Sequence, residues 1–108
     1  MESRHYHFHL YYNNQQIEIA RELAHKLRDR FQLQVGTVWD RLVGPHPMNS
    51  CQINVPSSRF EEVVNWLLRN RKGLDVFIHE DGDDDLVDHR DHVMWIGKSY
   101  EINLDIFK

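Results

Sequence analysis

Residues 5–12 read His-Tyr-His-Phe-His-Leu-Tyr-Tyr. Successive side chains on a strand point to opposite faces. This run is therefore apolar on one side, with Tyr6, Phe8, Leu10 and Tyr12, and carries His5, His7, His9 and Tyr11 on the other. A half-buried strand of this kind needs a layer packed on its apolar face. Its histidines are left on the face that this layer does not cover.

The following segments supply the layer. Asn13 can cap a helix, with Gln16 three residues on to reach back. Ile17, Ala20, Ala24, Leu27 and Phe31 then recur at the three-and-four spacing of an amphipathic helix. Residues 34–43 read as a second strand, ended by Gly44-Pro45-His46-Pro47, since neither proline can donate to a ladder. Residues 50–55 form a third strand, stopped by Pro56. Ser58 and Glu61 offer a capping box to a second helix, with Phe60, Val63, Val64, Leu67 and Leu68 as its buried stripe. Gly73 suits a left-handed stop. Residues 74–79 give a fourth strand, and a loop of some twenty residues follows, long enough to suggest a function. Residues 102–107 alternate again and predict an additional C-terminal strand.

Strand, helix, strand, strand, helix, strand is the order of the ferredoxin-like sandwich, an α+β fold with two helices on one face of an antiparallel sheet. At 108 residues, positions 1–108 are expected to form a single domain. The open sheet face is expected to need covering, and a homodimer is the expected means. Charge argues against a nucleic-acid partner. Residues 80–91 hold seven acids and one base, which leaves the rest of the chain only slightly basic. No apolar run approaches the ~20 residues of a membrane span, and no leader precedes the first strand, so a cytoplasmic location without membrane partners is expected.

Eight histidines are the unusual count, and they are dispersed. His7 and His9 share the open face of the first strand, and His79, on the parity of Phe77, is expected to join them from the neighbouring fourth strand. His46 lies in the turn before the third strand. His89 and His92 lie in the long loop and are expected to fold over the same face. Neutral imidazoles on rigid strands can supply two or three ligands to iron, zinc or copper and leave positions open. His25 on a helix surface and His5 near the terminus have no assigned role. The acidic stretch fails the calcium-loop register, because Leu86 stands where the glycine belongs. The single cysteine, Cys51, reads as a small buried residue. Trp39, Trp66 and Trp95 read as core or interface.

Phe8-His9-Leu10-Tyr11-Tyr12, Gly44-Pro45-His46-Pro47, Ile78-His79, and Asp88-His89 followed by Met94-Trp95-Ile96-Gly97 occur in order over nearly the whole chain. In these motifs the sequence resembles the DOPA 4,5-dioxygenase family of small ferredoxin-like proteins. The resemblance implies an extradiol-type dioxygenase that opens the ring of a catechol such as DOPA with O₂, using non-haem Fe(II), though zinc or another divalent metal could occupy the site. Carried over residue by residue, it implies His9, His46 and His79 as metal ligands and His89 as the catalytic acid/base. The commoner ligand set of two histidines and one carboxylate would bring in Glu80 or Asp88 instead of one histidine. Two features depart from the family pattern: Glu80 follows His79 where the family tends to carry proline, and the 80–91 stretch is strongly acidic. The rival reading is a non-catalytic dimeric module that binds a metal or small ligand on its open face.

Overall fold

The computed structural model describes residues 4–108. Five antiparallel strands form one sheet in the order β2-β3-β1-β4-β5, comprising β1 (His5–Tyr12), β2 (Gln34–Val35), β3 (Asn49–Pro56), β4 (Asp75–Glu80) and β5 (Val93–Ile96). Two long helices, α1 (Ile17–Phe31) and α2 (Ser57–Asn70), cover one face, and a short helix, α3 (Asp85–Arg90), follows β4. This is the expected α+β sandwich, with β1 at the centre between β3 and β4.

The alternation in β1 sets the layers. Phe8, Leu10 and Tyr12 are fully buried against Ala20, Leu23, Ala24 and Leu27 of α1, Val63 and Leu67 of α2, and Ile53 and Val55 of β3. Each large apolar side chain buried here contributes about 1.5–3 kcal/mol relative to exposure. The Asn13–Gln16 capping box forms: the Asn13 side chain accepts from the Gln15 amide, and the Gln16 side chain accepts from the Asn13 amide at 3.0 Å. It caps a one-turn 3-10 helix that leads into α1. Among the described residues no helix is long and apolar enough to cross a membrane.

Four local expectations are corrected. The Ser58–Glu61 capping box does not form, because α2 starts two residues earlier than that cap implies, at Ser57, with Pro56 in extended conformation at the cap position. Leu68 is 58% exposed and lies outside the buried stripe. The strand expected over 34–43 pairs regularly only at Gln34 and Val35. Beyond it the chain touches β3 at isolated points, Gly36 N–H to Gln52 O and Trp39 N–H to Ser50 O. The buried Tyr12 hydroxyl lies 2.7 Å from the Trp39 carbonyl and 3.0 Å from that of Ser50, groups a regular ladder would engage. The C-terminal strand expected over 102–107 is also absent. Leu104–Phe107 form a 3-10 turn in which the Asn103 side chain accepts from the Asp105 amide.

The strand that does flank β4 is β5, which lies inside what the sequence suggests is a long loop. Its residues, Val93-Met94-Trp95-Ile96, are apolar throughout and show no alternation. The C-terminal segment instead crosses the open face of the sheet. It is tied to the Gly44–Pro47 turn by Asn103 N–H to Pro45 O, and to β4 through Asp75, which accepts from Lys98 N–H at 2.8 Å and from the Tyr100 hydroxyl at 2.6 Å. Part of the face that was expected to need a second subunit is thus covered by this chain itself.

Candidate metal centre

Strand pairing brings the histidines together. His7 stands opposite His79 across the β1–β4 ladder, and His9 follows two residues on, so all three side chains leave the sheet on the open face. One ring nitrogen from each of His7, His9 and His79 lies within 4.8 Å of the others. The tightest pair is His9 Nε2 to His79 Nε2, at 3.0 Å. Two nitrogens bound at right angles to one ion at ~2.1 Å stand about 3 Å apart, so this spacing fits a shared ion.

Protonation suits the same role. The His79 Nδ1–H donates to its neighbour's carbonyl, Glu80 O, at 2.7 Å, which leaves the Nε2 lone pair aimed at the cluster. Burial pushes His79 down to about 3 and His46 to about 4, while His9 is held well below the usual imidazole range by burial and by the neighbouring rings. His7 is lowered too, chiefly by burial, with Asp81 opposing. These imidazoles are neutral at neutral pH, as ligands must be. The donor set and its spacing fit a divalent transition metal.

His46 and His89 flank the three. The His46 ring lies 4.2 Å from that of His9, and its Nδ1 is 2.7 Å from the Tyr11 hydroxyl. Tyr11 shares the face of His9, is itself buried, and has its phenol raised by desolvation. Its part in the site was missed in the sequence, although its parity with His7 and His9 was the available signal. His89, on α3, donates from Nδ1–H to Asp85 O at 2.7 Å, so its Nε2 lone pair is free. Its ring lies between His79, at 3.9 Å, and Phe107, at 4.4 Å.

A cleft of about 390 Å³ opens over these groups, lined by His7, His9, His46, His79 and His89, with Gln52, Asp81, Asp85 and Phe107 among its walls. A second cleft of about 650 Å³ lies on the other side of His89 and is floored by Phe77, Trp95 and Tyr100. Phe77 and Trp95 stack at 4.6 Å. Trp95 thus belongs to this aromatic floor.

His92 does not fold over the histidine face. It forms a separate group with Glu80 and Asp88, with Nδ1 3.0 Å from Glu80 Oε2 and 3.8 Å from Asp88 Oδ1. The reason is parity: Glu80 pairs with Tyr6 and shares the helix side of the sheet, opposite to His79. The two carboxylates considered as replacement ligands therefore stand together, apart from the His7–His9–His79 nitrogens. His25 is exposed on α1, remote from the centre, and His5 is exposed at the start of β1.

Fold and site together define a small α+β protein with a histidine-lined open face, and comparison with known proteins assigns its family. The chain belongs to the Dopa 4,5-dioxygenase family, whose model matches residues 6–106. It is 34% identical over 113 residues to the DOPA 4,5-dioxygenase of Amanita muscaria, covering 95% of this chain and 49% of that one. It is 29% identical over 110 residues to an uncharacterized 21.2 kDa protein of Botryotinia fuckeliana, covering 94% of this chain and 60% of the relative. The chain thus spans about half the length of the curated relatives it matches. A crystal structure from Nostoc punctiforme, described as a "putative dioxygenase", superposes with a TM-score of 0.90 at 31% identity, over 94% of this chain and 89% of that one.

Proposed function

We propose that the protein is an extradiol-type dioxygenase that binds a catechol on the open face of its sheet and opens the ring with O₂, using non-haem Fe(II). The observation that carries this reading is the convergence of three neutral imidazoles beneath a cleft, in a chain of this family. His9 and His79 are proposed as two of the ligands. For the third, His7 is favoured over His46, because its nitrogen lies within 4.8 Å of those of His9 and His79. Bound Fe(II) would supply the redox chemistry that lets a closed-shell catechol react with O₂.

The chain's own residues would do the rest. His89 is the proposed acid/base. Its Nδ1–H is fixed on a backbone carbonyl, so Nε2 is the atom that takes a catechol proton and later returns one. The His46–Tyr11 pair would orient the opposite wall. Phe107 and the C-terminal segment would limit water at the ring.

The test is reconstitution with Fe(II) under anaerobic conditions, followed by air. A catechol should consume one O₂ per ring opened and give a yellow semialdehyde-type product. The zinc-loaded protein should bind the catechol without turnover, since zinc has no redox chemistry. Full iron occupancy with no oxygen uptake across several catechols would refute the enzyme reading and leave a metal-binding module.

A further inference from the structure

Apart from the histidine face, a second set of donor groups converges at the end of β4. Glu80 closes β4, Asp88 lies on α3, and His92 follows it four residues on, just before β5. One donor atom from each lies within 4.8 Å of the other two. His92 Nδ1 is 3.0 Å from Glu80 Oε2 and 3.8 Å from Asp88 Oδ1. Two ligand atoms ~2.1 Å from one ion stand about 3 Å apart at a right angle and about 3.8 Å apart at ~130°, so both spacings fit a shared ion. The backbone fixes the group, with Glu80 N–H donating to His92 O at 3.2 Å and His92 N–H to Val87 O at 3.4 Å.

Asp88 takes the argument beyond proximity. It is 4% exposed, and among the described residues no lysine or arginine pairs with it. A buried carboxylate is ordinarily paired or bound to a metal. Asp88 Oδ2 accepts from Gly82 N–H at 2.7 Å, which orients the carboxylate from behind as the outer partner of a metal ligand does. Its Oδ1 accepts no hydrogen bond and faces His92 Nδ1. Glu80 is arranged in the same way: Oε1 accepts from Arg4 at 2.5 Å, and Oε2 is left to the group. A groove of about 240 Å³, lined by Glu80 and His92 with Tyr6, Phe60 and Met94 among its walls, gives an ion access.

We infer that Glu80, Asp88 and His92 form a second metal site, which takes a divalent first-row ion such as zinc or manganese, with water completing its coordination. Two carboxylates and one imidazole suit these ions, and the two carboxylates balance the charge of the ion. The bound ion joins β4, α3 and the start of β5. It therefore fastens the short helix that bears His89 and takes no part in chemistry itself. The site stands whether or not the histidine face opens catechols.

Zinc binding at neutral pH, measured as metal content after equilibrium dialysis, tests this. The double variant His9→Ala/His79→Ala, which removes the histidine centre, should still bind one zinc ion per chain. Adding His92→Ala or Asp88→Asn to it should weaken that binding by ~10-fold or more, while adding His25→Ala should not. Circular dichroism checks that each variant is folded. NMR on the wild type reads the site without any substitution. Zinc should shift the His92 ring signals and slow exchange of the Gly82 and Asp88 amides, since the ion closes the segment between them. A folded His9→Ala/His79→Ala protein that binds no zinc overturns the inference and leaves an ion pair between His92 and its carboxylates. Binding that survives both His92→Ala and Asp88→Asn overturns it too, as do His92 signals in the wild type that zinc does not move. A wild type whose only zinc is lost with His92→Ala, and kept with His9→Ala/His79→Ala, upholds this site and refutes the histidine centre instead.

Discussion

Acid should unfold the metal-free protein through its histidines, before its carboxylates begin to titrate. His9, His46 and His79 are 3%, 8% and 3% exposed. His46 and His79 are pushed down to about 4 and about 3, whereas in the unfolded chain each titrates near 6.5. Their folded values are depressed, so the unfolded chain binds more protons once the pH passes below 6.5. The stability present above that point is lost as pH falls toward the folded values. At about pH 5 each such histidine remains neutral in the fold and is almost fully protonated in the unfolded chain. The loss is then ~2 kcal/mol apiece, or ~4 kcal/mol for the pair, with His9 adding in the same direction. Carboxylates titrate near 4 and contribute little in this window. At an m-value of ~1.5 kcal/mol/M, the urea midpoint should fall by ~2–3 M between pH 7.5 and pH 5. His79→Asn should lower the pH dependence by about one histidine's share, while His25→Gln should leave it unchanged. A midpoint that moves by less than ~0.5 M with chelator present would refute the reasoning.

Metal titration of His7→Ala and His46→Ala decides the third ligand: His7→Ala should weaken binding by ~10-fold or more with the fold retained, and His46→Ala much less. In the reconstituted enzyme, His89→Ala should keep metal and catechol binding but lose ~10²–10⁴-fold in rate, measured by oxygen uptake. Gly97 has φ +91°, and a Cβ there would meet the Arg71 guanidinium and the Asp75 carboxylate, so Gly97→Ala should cost at least ~2 kcal/mol by urea denaturation. Light scattering tests the homodimer expected from the sequence, and a mass of 13.0 kDa at micromolar concentration would exclude it.

The fold was legible because two periods are written clearly in the chain, the alternation of residues 5–12 and the helical stripes from Ile17 and Phe60. What the sequence concealed has local causes. β5 is uniformly apolar, so alternation could not reveal it. The 102–107 stretch alternates, yet its backbone is claimed by the Asn103 side chain instead of a partner strand. In the site, parity alone places His7, His9 and His79, and it also shows why Glu80 stands apart. It gives no account of how far a turn or a helix will carry His46, His89 or His92. Those positions depend on long-range packing, such as Tyr11 on His46 and Phe107 on His89.

Because β1 feeds the hydrophobic layer with one set of residues and the proposed metal centre with the other, the two cannot be correct independently. A slip of one residue in the β1–β4 ladder would turn His7 and His9 into the helix layer and expose Phe8 and Leu10. A chain trapped in that pairing could not assemble the three-nitrogen cluster. Metal uptake at that centre during refolding therefore counts correctly registered molecules, and a substoichiometric titration would measure the misaligned fraction directly.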